Sequence, residues 1–428
     1  MQTRLHRFLI PALLFIALHV TAQPAYETMS WDELSGICRP YPDIEQPSTA
    51  PPKGYKPFYI SHLGRHGSRL QGEERIYRRP LGWMEKADSL GVLTAEGREA
   101  LAAVRILAGD AEGRVGELSP VGEREHRHIA ERMFRHYPQV FRKRGGMQPF
   151  LDVQSSARMR STLSGVFAAE RLKECNPGIR VTRCAAPGNW EWIFDLRESG
   201  ILGRELKKQG WYSEDNMHGV PLDAGRVNAR LFTDGGAFLG PDKAWIALFD
   251  LYHLAADAKA SGFPELNLFQ YLDKKDVYPI WERENARFYL RQCNSLPYGD
   301  RILKDGHNVL RRIIAEADAV IADGSHGAHL RYGHDQNVAT LGALIGLEGC
   351  DGRAEAYGDI KTVFHDYAIV PMACNIQLVF FRKGAGAPVL VKILLNEREV
   401  RTSLLPDKGP FYRWEDLRTE FANLLQNP

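Results

Sequence analysis

Three times along this chain a short apolar run ends in a cluster of charged and polar residues, and helical spacing takes over. Phe58-Tyr59-Ile60-Ser61-His62-Leu63 stops at Gly64 and opens onto Arg65-His66-Gly67-Ser68-Arg69. Phe150-Leu151-Asp152-Val153-Gln154 leads into Ser155-Ser156-Ala157-Arg158-Met159-Arg160, after which Leu163, Val166, Phe167 and Leu172 recur as one face of a helix. His329-Leu330-Arg331-Tyr332-Gly333 leads into His334-Asp335-Gln336-Asn337, followed by Val338, Leu341, Leu344 and Ile345. Short apolar runs bounded by glycine and polar residues read as buried strands, and each polar cluster falls where a strand gives way to a helix.

Units of this kind build an α/β fold. The expected architecture is a doubly wound, mostly parallel sheet flanked by helices, with an inserted, mainly helical cap. Residues 23–184 and 300–428 are expected to form the core and residues 185–299 the cap, a stretch rich in Trp, Tyr, Phe and Gly. Its Trp190, Trp192, Trp211 and Trp245 read as packing residues. A helix is expected from Ser119, as N-cap, and Pro120, at the first position, with Ile129, Met133 and Tyr137 on one face. His126 and His128 are assigned to its solvated side. Ile376–Phe381 and Val389–Leu395 supply two more strands. Open α/β sheets bind ligands beyond the carboxyl ends of their strands, where helix N-termini present N–H groups to anions. The three polar clusters are therefore expected to meet at one site.

The first residues read differently from the rest. Arg4 and Arg7 precede an apolar run from Phe8 to Val20, and Val20-Thr21-Ala22 offers small residues for cleavage. This pattern predicts a signal peptide over residues 1–22 and a secreted or periplasmic protein. The run is shorter than the about 20 apolar residues that a membrane span requires, and none is expected. Removing it leaves 53 basic residues against 53 acidic, so global charge predicts no nucleic-acid partner. Six cysteines (Cys38, Cys175, Cys184, Cys293, Cys350, Cys374) in such a compartment suggest disulfides. Cys175 and Cys184 flank the turn Asn176-Pro177-Gly178 and are the natural local pair, with buried free thiols as the alternative.

The chemistry suggested by the clusters is phosphoryl transfer. A phosphate monoester carries nearly two negative charges, which repel a nucleophile until they are neutralised. Arg65, Arg69 and Arg160 offer three planar, permanently charged forks suited to that task. His66, kept neutral by this cationic field, has a ring nitrogen available to attack phosphorus. His334 can donate to a phosphoryl oxygen, and Asp335 can protonate the leaving group and later take a proton from water.

Arg65-His66-Gly67-Ser68-Arg69, Arg160 with Ser164 four residues later, and Gly333-His334-Asp335-Gln336-Asn337 together resemble the histidine phosphatase superfamily, acid phosphatase and phytase branch. The flanking segments, including Tyr412-Arg413-Trp414-Glu415-Asp416-Leu417, are similar to bacterial members grouped with multiple inositol polyphosphate phosphatases. The resemblance implies an α/β core with a helical cap, a phosphohistidine intermediate, and neither metal nor cofactor. It implies His66 as nucleophile, Asp335 as proton donor, and Arg65, Arg69, Arg160 and His334 as the phosphate pocket. Two positions depart from the pattern: Gln71 stands where the family commonly has proline, and His334-Asp335 stands where inositol polyphosphate phosphatases tend to carry His-Ala-Glu.

The expected substrate is a small phosphate ester, with inositol polyphosphates such as phytate first and a sugar phosphate or broad acid phosphatase activity as the alternative. A wide basic cleft using Arg204, Lys207 or Lys208 would suit a polyphosphorylated ring, and a narrow one a single phosphate. A zinc hydrolase built on His326, His329 and His334 is the rival within enzymes, and a non-catalytic phosphosugar-binding protein the rival outside them.

Overall fold

In the computed structural model, which describes residues 25–208, 222–384 and 386–426, the three apolar runs lie in one sheet. Its strands are β1 (Lys56–Arg65), β2 (Phe150–Ser155), β3 (Arg180–Cys184), β4 (Gly327–Gly333), β5 (Asn375–Arg382), β6 (Leu390–Leu395), β7 (Arg398–Glu399) and β8 (Phe411–Arg413). They run in the order β3-β2-β4-β1-β5-β6-β7, with β8 also paired to β6. The pairs among β1 to β4 are parallel, whereas β5 to β8 join through antiparallel pairs. The sheet is thus mixed, which corrects the expectation of a mostly parallel one. For β6 the cause is chain length: a parallel return needs a crossover of a dozen or more residues, and the 383–389 link permits only a hairpin, whereas β5 itself runs antiparallel to β1 after a connection long enough for a crossover.

The longer helices are α1 (Arg75–Ser89), α2 (Ala95–Ala111), α3 (Pro120–His136), α4 (Met159–Cys175), α5 (Arg197–Lys208), α6 (Ile246–Ser261), α7 (Lys274–Gln292), α8 (His307–Asp323), α9 (Asp335–Leu344) and α10 (Trp414–Leu424). Alternation along the strands sends side chains to two cores. On one face Ile60, Leu151, Leu330 and Val379 meet Ala130 and Met133 of α3 and Ala168 and Leu172 of α4. On the other Tyr59, Leu63, Ile376 and Leu378 meet Leu310 of α8, Val338 and Leu341 of α9, and Leu417 of α10. Each fully buried Leu, Ile, Val or Met among them contributes about 1.5–3 kcal/mol. Nine of the ten β1 residues are buried, because the strand lies mid-sheet between β4 and β5.

A third core belongs to the helical lobe. Trp83 of α1, Leu101 and Leu107 of α2, Leu248 and Leu251 of α6, and Ile280 and Trp281 of α7 pack together. The second half of α7 places Ala286, Tyr289 and Leu290 in the sheet core, so this one helix joins the two bodies.

The predicted helix start at Ser119 is present: the Ser119 side chain accepts from Gly122 N–H, and Pro120 opens the helix. His126, assigned to the surface, is instead buried, its ring near-perpendicular to that of Tyr332 with centres 5.2 Å apart. It shares the sheet-facing stripe with Gly122, Ala130 and Met133, four and seven residues apart on a helix. All six cysteines are free thiols, which corrects the disulfide expectation. Cys175 ends α4, whereas β3 carries Cys184 to the far end of the strand. The steps from Arg180 to Cys184 alone cover roughly 13 Å, beyond the about 7 Å between Cα atoms that a bridge tolerates. The proposed leader, residues 1–22, and Trp211 lie outside the described residues. Among those described, no helix is long and apolar enough to cross a membrane.

Candidate active site

Strand register decides which residues meet. Arg65 at the end of β1 lies opposite Gly333 at the end of β4, and Ser155 at the end of β2 lies opposite Tyr332. All three parallel strands therefore finish at one edge. His66, the 156–160 turn and His334-Asp335 start from that edge.

The His66 peptide is held from two sides: its N–H donates to Gly333 O at 3.0 Å, and its carbonyl accepts from Ala373 N–H at 3.0 Å. Its Nδ1 lies 2.9 Å from Gly67 O. A carbonyl oxygen only accepts, so Nδ1 carries the proton and Nε2 keeps its lone pair. Burial, then the charges of Arg65, His334, Arg69 and Arg160, push this imidazole well below the ordinary histidine range. It stays neutral into acid.

Arg65 is 1% exposed. Its Nη1 donates to Ile37 O at 2.7 Å and Val370 O at 2.8 Å, and its Nη2 pairs with Asp335 Oδ2 at 3.0 Å. Asp335 opens α9, and its other oxygen accepts from Gln336 N–H at 2.9 Å. Arg69 and Arg160 are partly exposed toward the edge. Burial, then the neighbouring Arg69 charge, lowers Arg160 to about 10, which leaves it protonated at working pH. The Nε atoms of Arg65, Arg69 and Arg160 are buried and have no protein acceptor among the described residues. Buried cationic donors of this kind suit an oxyanion. His334 lies beside them, its ring centre 5.4 Å from that of His66 and its Nε2 3.0 Å from Ser156 Oγ. Phe194 packs against it at 4.0 Å. Burial, then Arg160 and Arg65, also push His334 well below the ordinary range.

The six predicted site residues are thus brought together. His326, His329 and His334 are not: His326 bonds Arg142 O, His329 bonds Tyr59 Oη, and His334 bonds Ser156. Among the described residues no group of three or more His, Cys, Asp or Glu side chains is placed to hold a metal ion.

Sequence reasoning missed the supports beneath the loop. Glu125 of α3, buried, accepts from Ser68 N–H and Ser68 Oγ at 2.7 Å each and from Tyr41 N–H at 2.8 Å. Gly67 N–H donates to Ser164 Oγ at 3.1 Å, and that hydroxyl donates to Arg160 O at 2.8 Å, which links the first cluster to the second. Gly67 and Gly122 touch so closely that a methyl group on Gly67 would sit 2.6 Å from Gly122 Cα. One signal was available: Glu125 precedes Ile129 by four residues, on the apolar stripe of α3.

The chain aligns over 91% of its length with 97% of a multiple inositol polyphosphate phosphatase from Bifidobacterium longum complexed with inositol hexasulfate, at a TM-score of 0.73 and 19% identity. It aligns over 96% of its length with 89% of the phytase from D. castellii, at 0.62 and 13%. With Hafnia alvei phytase in complex with tartrate the coverage is 88% and 100%, the TM-score 0.51 and the identity 12%. The chain has their fold. No family model matches it, and no curated protein matches it.

Outward from the site lies open space with a charged lining. A chamber of about 250 Å³ reaches Gln71, Gln336 and Cys38. It shares Glu73, Ile76, His253, Glu284, Arg287 and Arg291 with a wider cavity of about 560 Å³, to which Arg75, Arg204, Lys207, Asp250 and Arg283 also contribute. Of the three basic residues singled out on α5, Arg204 and Lys207 line this cavity and Lys208 does not.

Proposed function

We propose that the protein is a phosphomonoesterase of the histidine phosphatase type, with His66 as nucleophile. The observation that carries this reading is the bare Nε2 of His66 among three guanidinium groups, with Asp335 beside them at the same sheet edge. Arg65, Arg69, Arg160 and His334 take the nonreacting phosphoryl oxygens and follow their charge through a loose transition state. The Nε2 lone pair forms a bond to phosphorus as the ester P–O bond breaks, and the Asp335 carboxyl gives its proton to the departing oxygen. Water then attacks the phosphohistidine. Asp335 takes the proton from that water, the P–N bond breaks, and His66 and inorganic phosphate are released.

The preferred substrate is a polyphosphorylated ring such as phytate. Support comes from the wide cavity beside the site, where Arg204 and Lys207 make no ion pair among the described residues, and from the fold shared with an inositol polyphosphate phosphatase and phytases. Export through the apolar run at residues 8–20 is part of the same reading.

The test is phosphate release by the purified, EDTA-treated protein from phytate, glucose 1-phosphate and an aryl phosphate. Release from all three with phytate favoured in kcat/KM is expected. Preference for glucose 1-phosphate would replace the substrate class, and no release from any would remove the reaction.

A further inference from the structure

We propose that Tyr77 and Asp257 are positioning residues through which the helical lobe fixes the exit of the phosphate-binding loop. The inference rests on the reading above and concerns how the Arg69 end of the loop is held.

Gln71, two residues beyond Arg69, donates its backbone N–H to Tyr77 Oη at 2.8 Å. Tyr77 Oη donates onward to Asp257 Oδ2 at 3.0 Å, and Ser261 Oγ donates to the same oxygen at 2.6 Å. Gln71, Tyr77, Asp257 and Ser261 are all buried. Tyr77 belongs to α1, and Asp257 and Ser261 to α6, both helices of the lobe core. Helix α6 reaches the loop a second time: Ala260 O accepts from Ser119 Oγ at 2.5 Å, and Ser119 N–H donates to Ser68 O at 2.9 Å. One lobe helix therefore braces both ends of the 68–71 segment.

The residue at position 71 makes the brace necessary. A proline there would carry no N–H, and its ring would fix the backbone by itself. Glutamine brings a buried donor that is costly to leave unpaired, and Tyr77 supplies its acceptor. The consequence reaches the phosphate pocket through the same peptide group: Arg69 Nη1 donates at 2.7 Å to Leu70 O, the carbonyl of the peptide whose N–H Tyr77 accepts. Charge points the same way. Burial raises the Asp257 carboxyl, and the Arg69 guanidinium is among the groups that pull it back down. Arg69 therefore lies within electrostatic reach of this lobe residue.

The experiment measures inhibition by inorganic phosphate, with an aryl phosphate as substrate. Tyr77→Phe and Asp257→Ala are each expected to raise the phosphate Ki and the KM at least about fivefold, with a smaller change in kcat, because a displaced Arg69 weakens ground state and transition state alike. Adding Gln71→Pro to Tyr77→Phe removes the orphaned N–H and is expected to return Ki toward the wild-type value. A purely structural role would lower the melting temperature and leave this Ki untouched. Hydrogen exchange on the wild-type protein covers the case of variants that do not fold: the Gln71 amide should exchange as slowly as those of β1. A wild-type Ki in both single variants, or rapid exchange at Gln71, overturns the proposal. A wild-type protein that neither binds phosphate nor hydrolyses the ester would instead refute the phosphatase reading.

Discussion

Replacing Glu125 with alanine tests how the nucleophile loop is supported. The carboxylate accepts from two backbone N–H groups, Ser68 and Tyr41, and from the Ser68 hydroxyl, all at 2.7 to 2.8 Å. The hydroxyl can rotate to another acceptor, but the two backbone donors stay buried. Leaving each unpaired costs about 1–3 kcal/mol. Part of this is offset, because Glu125 is itself raised by burial and its removal ends that desolvation. The net loss is therefore roughly 2–4 kcal/mol, which for a chain of this size lowers Tm by about 2–5 °C. Activity should fall further than stability does. Ser68 lies between His66 and Arg69, so a loop without its floor misplaces nucleophile and guanidinium together, and a kcat/KM loss of about tenfold or more is expected. Glu125→Gln keeps one acceptor oxygen and should fall between the two. The assay pairs thermal unfolding with aryl phosphate kinetics. An alanine variant that melts within roughly 1 °C of wild type and keeps its kcat/KM would refute the claim that this carboxylate holds the loop.

Two more expectations concern pH and substrate. The Asp366 carboxyl, buried where it accepts from Trp281 Nε1 and Tyr367 N–H, is raised from 3.8 to about 7, chiefly by burial. The folded state keeps a proton that the unfolded state loses, so stability declines as pH rises through the interval between those two values and levels off above it. Asp366→Asn keeps an oxygen acceptor and should escape the decline, gaining on the order of 3 kcal/mol relative to wild type between pH 5 and 8. Parallel unfolding curves across that range would contradict it. Reversing the charge of Arg204 and Lys207 together should raise KM for phytate about tenfold and leave aryl phosphate kinetics unchanged; equal effects on both substrates would mean that the cavity is not used.

The three strand ends, the six clustered side chains and the start of α3 were legible in the sequence because local pattern determines them. An apolar run, a glycine stop and a capping serine need no distant partner. The antiparallel half of the sheet was legible only in part: both strands were visible at 376–381 and 389–395, but direction depends on connection length and pairing. His126 was misplaced because a histidine on a helix reads as polar, whereas the stripe it shares with Ala130 and Met133 faces the sheet. Glu125, Tyr77 and Asp257 were missed for another reason. Glu125 meets Ser68 across 57 residues and Tyr77 meets Asp257 across 180, and although the stripe of α3 hints that Glu125 is buried, no local pattern names either partner. The expected Cys175–Cys184 pair followed from a turn that the structure does contain, but the strand after that turn separates the two thiols.

Trapping the covalent intermediate tests the central claim most directly. Rapid quenching of the protein with radiolabelled phosphate ester, followed by peptide mapping, should place an acid-labile, alkali-stable phosphate on the peptide that contains His66. The label should be absent from His66→Ala and should survive in Asp335→Asn. A label on any other residue, or steady turnover by the His66→Ala variant, would contradict His66 as the nucleophile.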